Sequence, residues 1–224
     1  MDSSPERAIF SRLWYFSIMK KAQIKRGLDA IAAVDKHMAK AIAVYGYPEP
    51  RIQPSGFEAF LSTIISQQLS TKAANTILGR VKALLPKVDA RSVLAIPGDD
   101  LRTAGLSQRK VEYVRGLAQA IVAGDFAPEA LTAMDDDSAI AAITQLRGLG
   151  QWSAEIYLMF SLGRLDLFPA ADLILQTSLQ KIKRLKARPT AKIARQKVAH
   201  WSPWRSVGSL FLWHYHHNTA VSNK

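Results

Sequence analysis

Apolar residues recur at helical spacing along almost the whole of this chain, and no segment alternates as a strand ladder does. That periodicity commits the fold to helix packed on helix. LDAIAAVDKHMAKAIAVYG (28–46) reads as one amphipathic helix closed by Gly46. YPEPRIQPSG (47–56) is a proline-rich connector, and FEAFLSTIISQQ (57–68) a second helix with Phe57, Phe60, Leu61, Ile64 and Ile65 on its buried face. Ser70 is placed to cap TKAANTILGRVKALL (71–85), and Pro86 follows its end. IPGDDLRTAGL is a short helix. Ser107 is placed to cap QRKVEYVRGLAQAIVA (108–123), which Gly124 stops. The acidic start of DDDSAIAAITQL (135–146) suits the positive end of a helix dipole. QWSAEIYLMFSL (151–162), a long basic helix opened by Asp172, TAKIARQKVAH and PWRSVGSLFLWHYHH follow. The expected class is all-α, about ten helices with short loops.

Composition narrows the function. Formal net charge is +12, which favours a polyanionic partner, nucleic acid before an anionic membrane surface. Cysteine is absent, so disulfides, cysteine-ligated zinc and a thiolate-held iron–sulfur cluster are excluded. No apolar run approaches a membrane span, and the N-terminus has neither signal-peptide nor transit-peptide order. The expectation is a cytoplasmic protein. HYHHN (214–218) offers three histidines without a carboxylate or cysteine at ligand spacing, so no metal site is expected there.

LRGLG (146–150) carries the first specific signal. One helix ends, the chain turns on Gly148 and Gly150, and another begins. The first N–H groups of the new helix, those of Gln151 and Ser153 among them, lack internal partners and form an anion site, on this basic chain a site for DNA phosphate. The same five residues equally suit a plain glycine-capped helical hairpin. KIKRLKARPTAKIARQK (181–197) is either a solvated face or a stretch near DNA.

The hairpin, taken with LFPAADLILQ (167–176), resembles the helix-hairpin-helix (HhH-GPD) DNA glycosylase superfamily. The resemblance spans roughly residues 50–218. It implies a two-lobed bundle: an N-terminal segment (1–50) packing with the C-terminal lobe, a glycosylase core (51–218) holding the hairpin (138–162) and the aspartate loop (163–176), and a short tail (219–224). The family's catalytic aspartate falls on Asp172. Its frequent acidic neighbour is replaced by Ala171. Asp at a helix start is also an ordinary cap, and the two roles are compatible, because a helix N-terminus favours the negative charge that a developing oxocarbenium ion needs. Bifunctional members carry a lysine at the position of Trp152. The resemblance therefore implies hydrolysis without a lyase step, as in the branch of DNA-3-methyladenine glycosylase II.

The segment Trp201, Pro203, Trp204, Arg205 is similar to the same branch, which makes Trp213 the base-stacking aromatic and places Arg205 among the phosphate contacts. An alkylated purine is cationic, and a π face attracts a cation. The base pocket implied comprises Trp152, Trp213, Ile156 and Tyr157, with Ile156 standing where the family has tyrosine. A plain core tryptophan is the lesser alternative for Trp152. The wedge that fills the hole left by a flipped base aligns with Gln68, with Leu69 as second choice, although the turn alone reads as a helix cap with an exposed glutamine. Arg109 or Lys110 is a further candidate for phosphate. The partner implied is double-stranded DNA with alkylated bases, bound by a monomer. No cofactor is expected, with room only for a monovalent cation at the hairpin. Two alternatives stay open: a glycosylase for other damaged or mismatched bases, and a non-catalytic module that binds DNA structure.

Overall fold

A computed structural model describes residues 19–51 and 53–221 of the chain. Among them are twelve α-helices, two 3₁₀ turns and no strand. In chain order these are α1 (Lys21–Val34), α2 (Lys36–Tyr45), α3 (Gly56–Ser66), α4 (Thr71–Leu84), α5 (Ala90–Ala95), α6 (Gly98–Thr103), α7 (Gln108–Ala123), α8 (Asp136–Thr144), α9 (Gln151–Phe160), α10 (Leu173–Lys183), α11 (Ala191–Val198) and α12 (Arg205–Val221), with 3₁₀ turns at Pro128–Thr132 and Ala199–Trp201. The expected all-α class holds. The expected N-terminal segment lies partly outside the described residues.

Local chemistry sets the boundaries. Ser70 and Ser107 accept from the N–H groups of Ala73 and Lys110, three residues on, and so satisfy donors that the helix cannot. Asp135 does the same for α8 through Ser138, and Asp136 and Asp137 follow it in the first turn. Gly124 ends α7 in the left-handed conformation at φ 84°. The single helix expected over 28–46 is in fact two. Asp35 takes extended backbone (φ −136°, ψ 95°), and its carboxylate captures the N–H groups of His37 and Met38, so it ends α1 and caps α2. The apolar period runs straight through this break. The basic helix opened by Asp172 is likewise shorter than its composition suggests, ending where Arg184 turns left-handed.

The chain divides into two compact units. One comprises the described residues of Met1–Ile52 and Leu158–Lys224, the other Gln53–Tyr157. In the first, α1 and α2 pack against each other and against α12, and α10 packs against α2 and α12. Its core holds Ile24, Leu28, Ile31, Met38, Leu175, Leu179, Trp201 and Phe211. Gly208 lets α12 close on Trp201, because a Cβ there would stand 2.5 Å from the indole ring. In the second unit, Phe60 of α3 stacks on Tyr157 at 4.1 Å and meets Phe126 edge-on at 5.6 Å. Both Phe60 and Tyr157 are buried, and each such ring contributes about 2–3 kcal/mol by leaving water.

Candidate active site and nucleic-acid contacts

Asp172 sits at the head of α10, on a loop whose backbone is held at several points. Ser206 receives the N–H of Leu167 at 2.9 Å and returns its hydroxyl to the Leu167 carbonyl at 3.2 Å. The buried amide of Gln176 donates to the carbonyl of Ala170 at 2.7 Å. Phe168, Pro169 and Ala170 are buried, which brings the chain to Asp172 along a fixed path. There Oδ1 accepts from the N–H groups of Ile174 at 2.8 Å and Leu175 at 3.0 Å. The carboxylate is therefore both the cap of α10 and a half-buried charge of fixed orientation.

Aromatic rings and the cation of Arg51 lie in the same unit as Asp172. The half-buried Trp213 lies 5.7 Å from Phe160, ring centre to ring centre. The Arg51 guanidinium stands over Phe160 at 4.7 Å, and its charge interacts with that of Asp172. Nothing in the sequence pattern pointed to Arg51, which lies in the proline-rich connector.

Arg205, expected among the phosphate contacts, has a partner within the protein. Its Nε and Nη2 grip Asp166 at 2.8 and 2.9 Å, and its backbone N–H reaches the same carboxylate at 3.2 Å. Burial works against the charge of Asp166, but the bonds from Arg205 and Ser202 outweigh it and hold the carboxyl below its usual range. This fork ties the start of α12 to the loop that leads to Asp172.

The hairpin and the wedge candidates belong to the other unit. Gly148 takes φ +92°, and a Cβ there would stand 2.3 Å from the Tyr113 ring, so conformation and space both demand glycine. Gly150 is different. It caps α9, its carbonyl accepting from Ala154 at 3.0 Å, and a Cβ there would meet nothing in the protein. Gly148→Ala is accordingly expected to lower the unfolding free energy by about 2–4 kcal/mol. Gly150→Ala should change it by less than about 0.5 kcal/mol. Urea denaturation of the two variants side by side checks the contrast.

Among the first-turn residues, Gln151 is exposed and reaches Glu155 at 3.1 Å, whereas Ser153 is buried. Trp152 is 37% exposed. Ile156 is buried, and the Tyr157 hydroxyl oxygen accepts from the N–H of Gly56 at 3.1 Å while burial pushes the Tyr157 pKa up to about 12. Within the hairpin, the Leu146 carbonyl accepts from the Leu149 N–H at 3.0 Å and the Gly148 carbonyl from Gln67 Nε2 at 2.8 Å.

Gln68 holds left-handed backbone (φ 58°) at an exposed tip, with the 39%-exposed Leu69 beside it. A non-glycine residue held there stores about 1–2 kcal/mol of strain. Lys110, a candidate for phosphate, donates to the carbonyls of Ile65 at 2.7 Å and Gln67 at 2.8 Å. Gln67 in turn binds Gly148, so Lys110 and Gln67 connect the tip to the hairpin. Lys183, within the basic run, is similarly committed: its ammonium pairs with buried Asp35.

Residues 61–203 match the model of the HhH-GPD superfamily base excision DNA repair protein. The chain is 28% identical over 182 residues to DNA-3-methyladenine glycosylase 1 of Schizosaccharomyces pombe, covering 80% of each. The crystal structure of a DNA-3-methyladenine glycosidase from Bacillus halodurans aligns with TM-score 0.78 at 30% identity, covering 87% of this chain and 91% of that one. The S. pombe enzyme Mag1, solved in complex with abasic DNA, aligns with TM-score 0.79 at 23% identity, over 89% of this chain and 98% of that one.

Proposed function

The chain belongs to the HhH-GPD superfamily of base excision DNA repair proteins, and from that premise we propose that it is a monofunctional DNA glycosylase that removes alkylated purines from duplex DNA by hydrolysis. The observation that carries this reading is Asp172, a carboxylate fixed by two backbone N–H groups on a locked loop. As the base departs, C1′ of the deoxyribose develops positive charge, and a carboxylate of fixed orientation stabilises it without reorganising. The same group can accept the proton of the attacking water. Trp213 is the stacking face for the flipped base. A purine methylated at N3 or N7 already carries positive charge, so its ring leaves without a general acid.

The hairpin serves DNA binding. The bareness of Gly150 is not required by anything the protein packs against it, which suits a helix terminus kept open for a phosphate. The strained, exposed Gln68 is suited to enter the duplex in place of the flipped base. Trp152 stands where a lyase would carry lysine, so no Schiff base forms and the strand stays intact. The names carried by the S. pombe and B. halodurans relatives support the choice of 3-methyladenine and its kin as substrates.

Incubation with a methylated duplex tests this directly. Chromatography should show free methylated purine, and the DNA should break only after alkali. Nicking without alkali would overturn the monofunctional assignment, and no released base would overturn the glycosylase.

A further inference from the structure

Arg51 introduces a permanent positive charge where the chemistry proposed for the site has no use for one. Its guanidinium lies 4.7 Å from the ring centre of Phe160, and Phe160 stands 5.7 Å from Trp213. Its charge also interacts with that of Asp172. A guanidinium does not lose its proton at ordinary pH. A site made of one carboxylate and aromatic faces would favour a cationic base twice, through charge and through the π faces. Arg51 opposes both preferences: it covers Phe160 and offsets part of the field of Asp172. Once a base is seated and water leaves, that opposition grows.

For a neutral base the sign reverses. In hydrolysis the C1′–N bond breaks and its electron pair leaves with the base, while a water oxygen bonds to C1′ and gives up one proton. A cationic purine so departs as a neutral molecule, and the proton passes to solvent. A neutral purine departs with negative charge on its ring and then takes up the proton that the water released. An N–H of Arg51, donated to the ring atom on which that charge gathers, stabilises the departure without transferring a proton.

We infer that Arg51 sets the charge preference of the site, extending it from cationic alkylpurines to neutral modified purines. The inference rests on the reading of Asp172 as the catalytic carboxylate. Arg51 is thus a specificity-determining residue for the reaction, acting through the leaving base.

Single-turnover base release from two duplexes of one sequence tests it. One duplex carries 7-methylguanine, which is cationic, and the other 1,N6-ethenoadenine, which is neutral. The wild-type protein is compared with Arg51→Met and Arg51→Lys. Arg51→Met should lower the ratio of ethenoadenine to methylguanine release by about tenfold or more, whereas Arg51→Lys should hold it within about threefold. The ratio does not depend on how much of a variant is folded, so a poorly folding variant still reports. Equal effects of Arg51→Met on both substrates would overturn the inference. A wild type that releases methylguanine but no ethenoadenine would also overturn it, leaving the glycosylase reading intact. If the wild type releases neither base, both fall together. Loss of both activities in Asp172→Asn, measured in parallel, upholds the carboxylate's role whatever Arg51 does.

Discussion

Replacing Asp35 by alanine is expected to lower the unfolding free energy by about 3–5 kcal/mol, the range for stripping one partner from a buried ion pair. The Asp35 side chain is 2% exposed and that of Lys183 only 11%. The carboxylate accepts from the Lys183 ammonium, from Trp201 Nε1 at 2.8 Å, and from the N–H groups of His37 at 3.1 Å and Met38 at 3.3 Å, with His200 Nε2 at 3.2 Å. One side chain thus joins the break between α1 and α2, the last turn of α10 and the turn before α12. Alanine removes the cap of α2 and leaves Lys183 without its anion. Removing that lysine as well, in Asp35→Ala/Lys183→Met, should recover part of the loss, because the uncompensated charge goes with it. Urea titration of the three proteins decides this, and a loss below about 1 kcal/mol for Asp35→Ala would contradict it.

The same group predicts acid sensitivity. Burial alone would raise the Asp35 pKa, but the bonds from Lys183 and Trp201, the charge of Lys183 and the Met38 N–H bring it down to about 2. The folded state therefore holds its proton less tightly than the unfolded chain, where the ordinary value is 3.8. The resulting stability, about 2 kcal/mol, is fully present above the ordinary value and is lost as the pH falls towards 2. Asp35→Ala should flatten that part of the stability–pH curve.

The largest effect on activity is expected from Asp172→Asn. Asparagine and aspartate are about equally good helix caps, and the amide oxygen of asparagine can accept from Ile174 and Leu175 as Oδ1 does now. Stability should therefore change by less than about 1 kcal/mol. In the reaction proposed, the substitution removes the charge opposite the developing oxocarbenium ion, together with the base for water. Loss of a preorganised electrostatic contact of this kind, with proton acceptance added, should slow base release by about a thousandfold or more. Affinity for the damaged duplex should stay within about threefold, since phosphate contacts dominate it.

Much of this was legible in the sequence, and the particular failures share a cause. Helix period, the serine caps at Ser70 and Ser107 and the glycine stop at Gly124 are local signals, and the structure repeats them. The break at Asp35 was hidden because the apolar period continues through it, and its best partners, Lys183 and Trp201, lie some 150 residues away. The sequence also does not show that Lys110, and Lys183 within the basic run, hold internal acceptors chosen by tertiary contact. LRGLG gives its two glycines one role; the left-handed backbone of Gly148 and the Tyr113 ring against it separate them, and nothing in LRGLG foretells either. Arg51 carried no signal at all, since a lone arginine in a proline-rich connector is ordinary until Phe160 is seen beneath it. Asp172 stands out in the sequence because it lies in a motif, but the lock on its loop by Ser206, Gln176 and the Arg205–Asp166 fork emerges only in three dimensions.

The central claim is that Asp172 hydrolyses the N-glycosidic bond of an alkylated purine. It is tested most directly by single-turnover release of free 3-methyladenine from methylated duplex by wild type and Asp172→Asn, with binding to the same duplex measured on both. The account predicts release by the wild type, a loss of about a thousandfold or more in the variant and nearly equal binding. Full release by Asp172→Asn would contradict it.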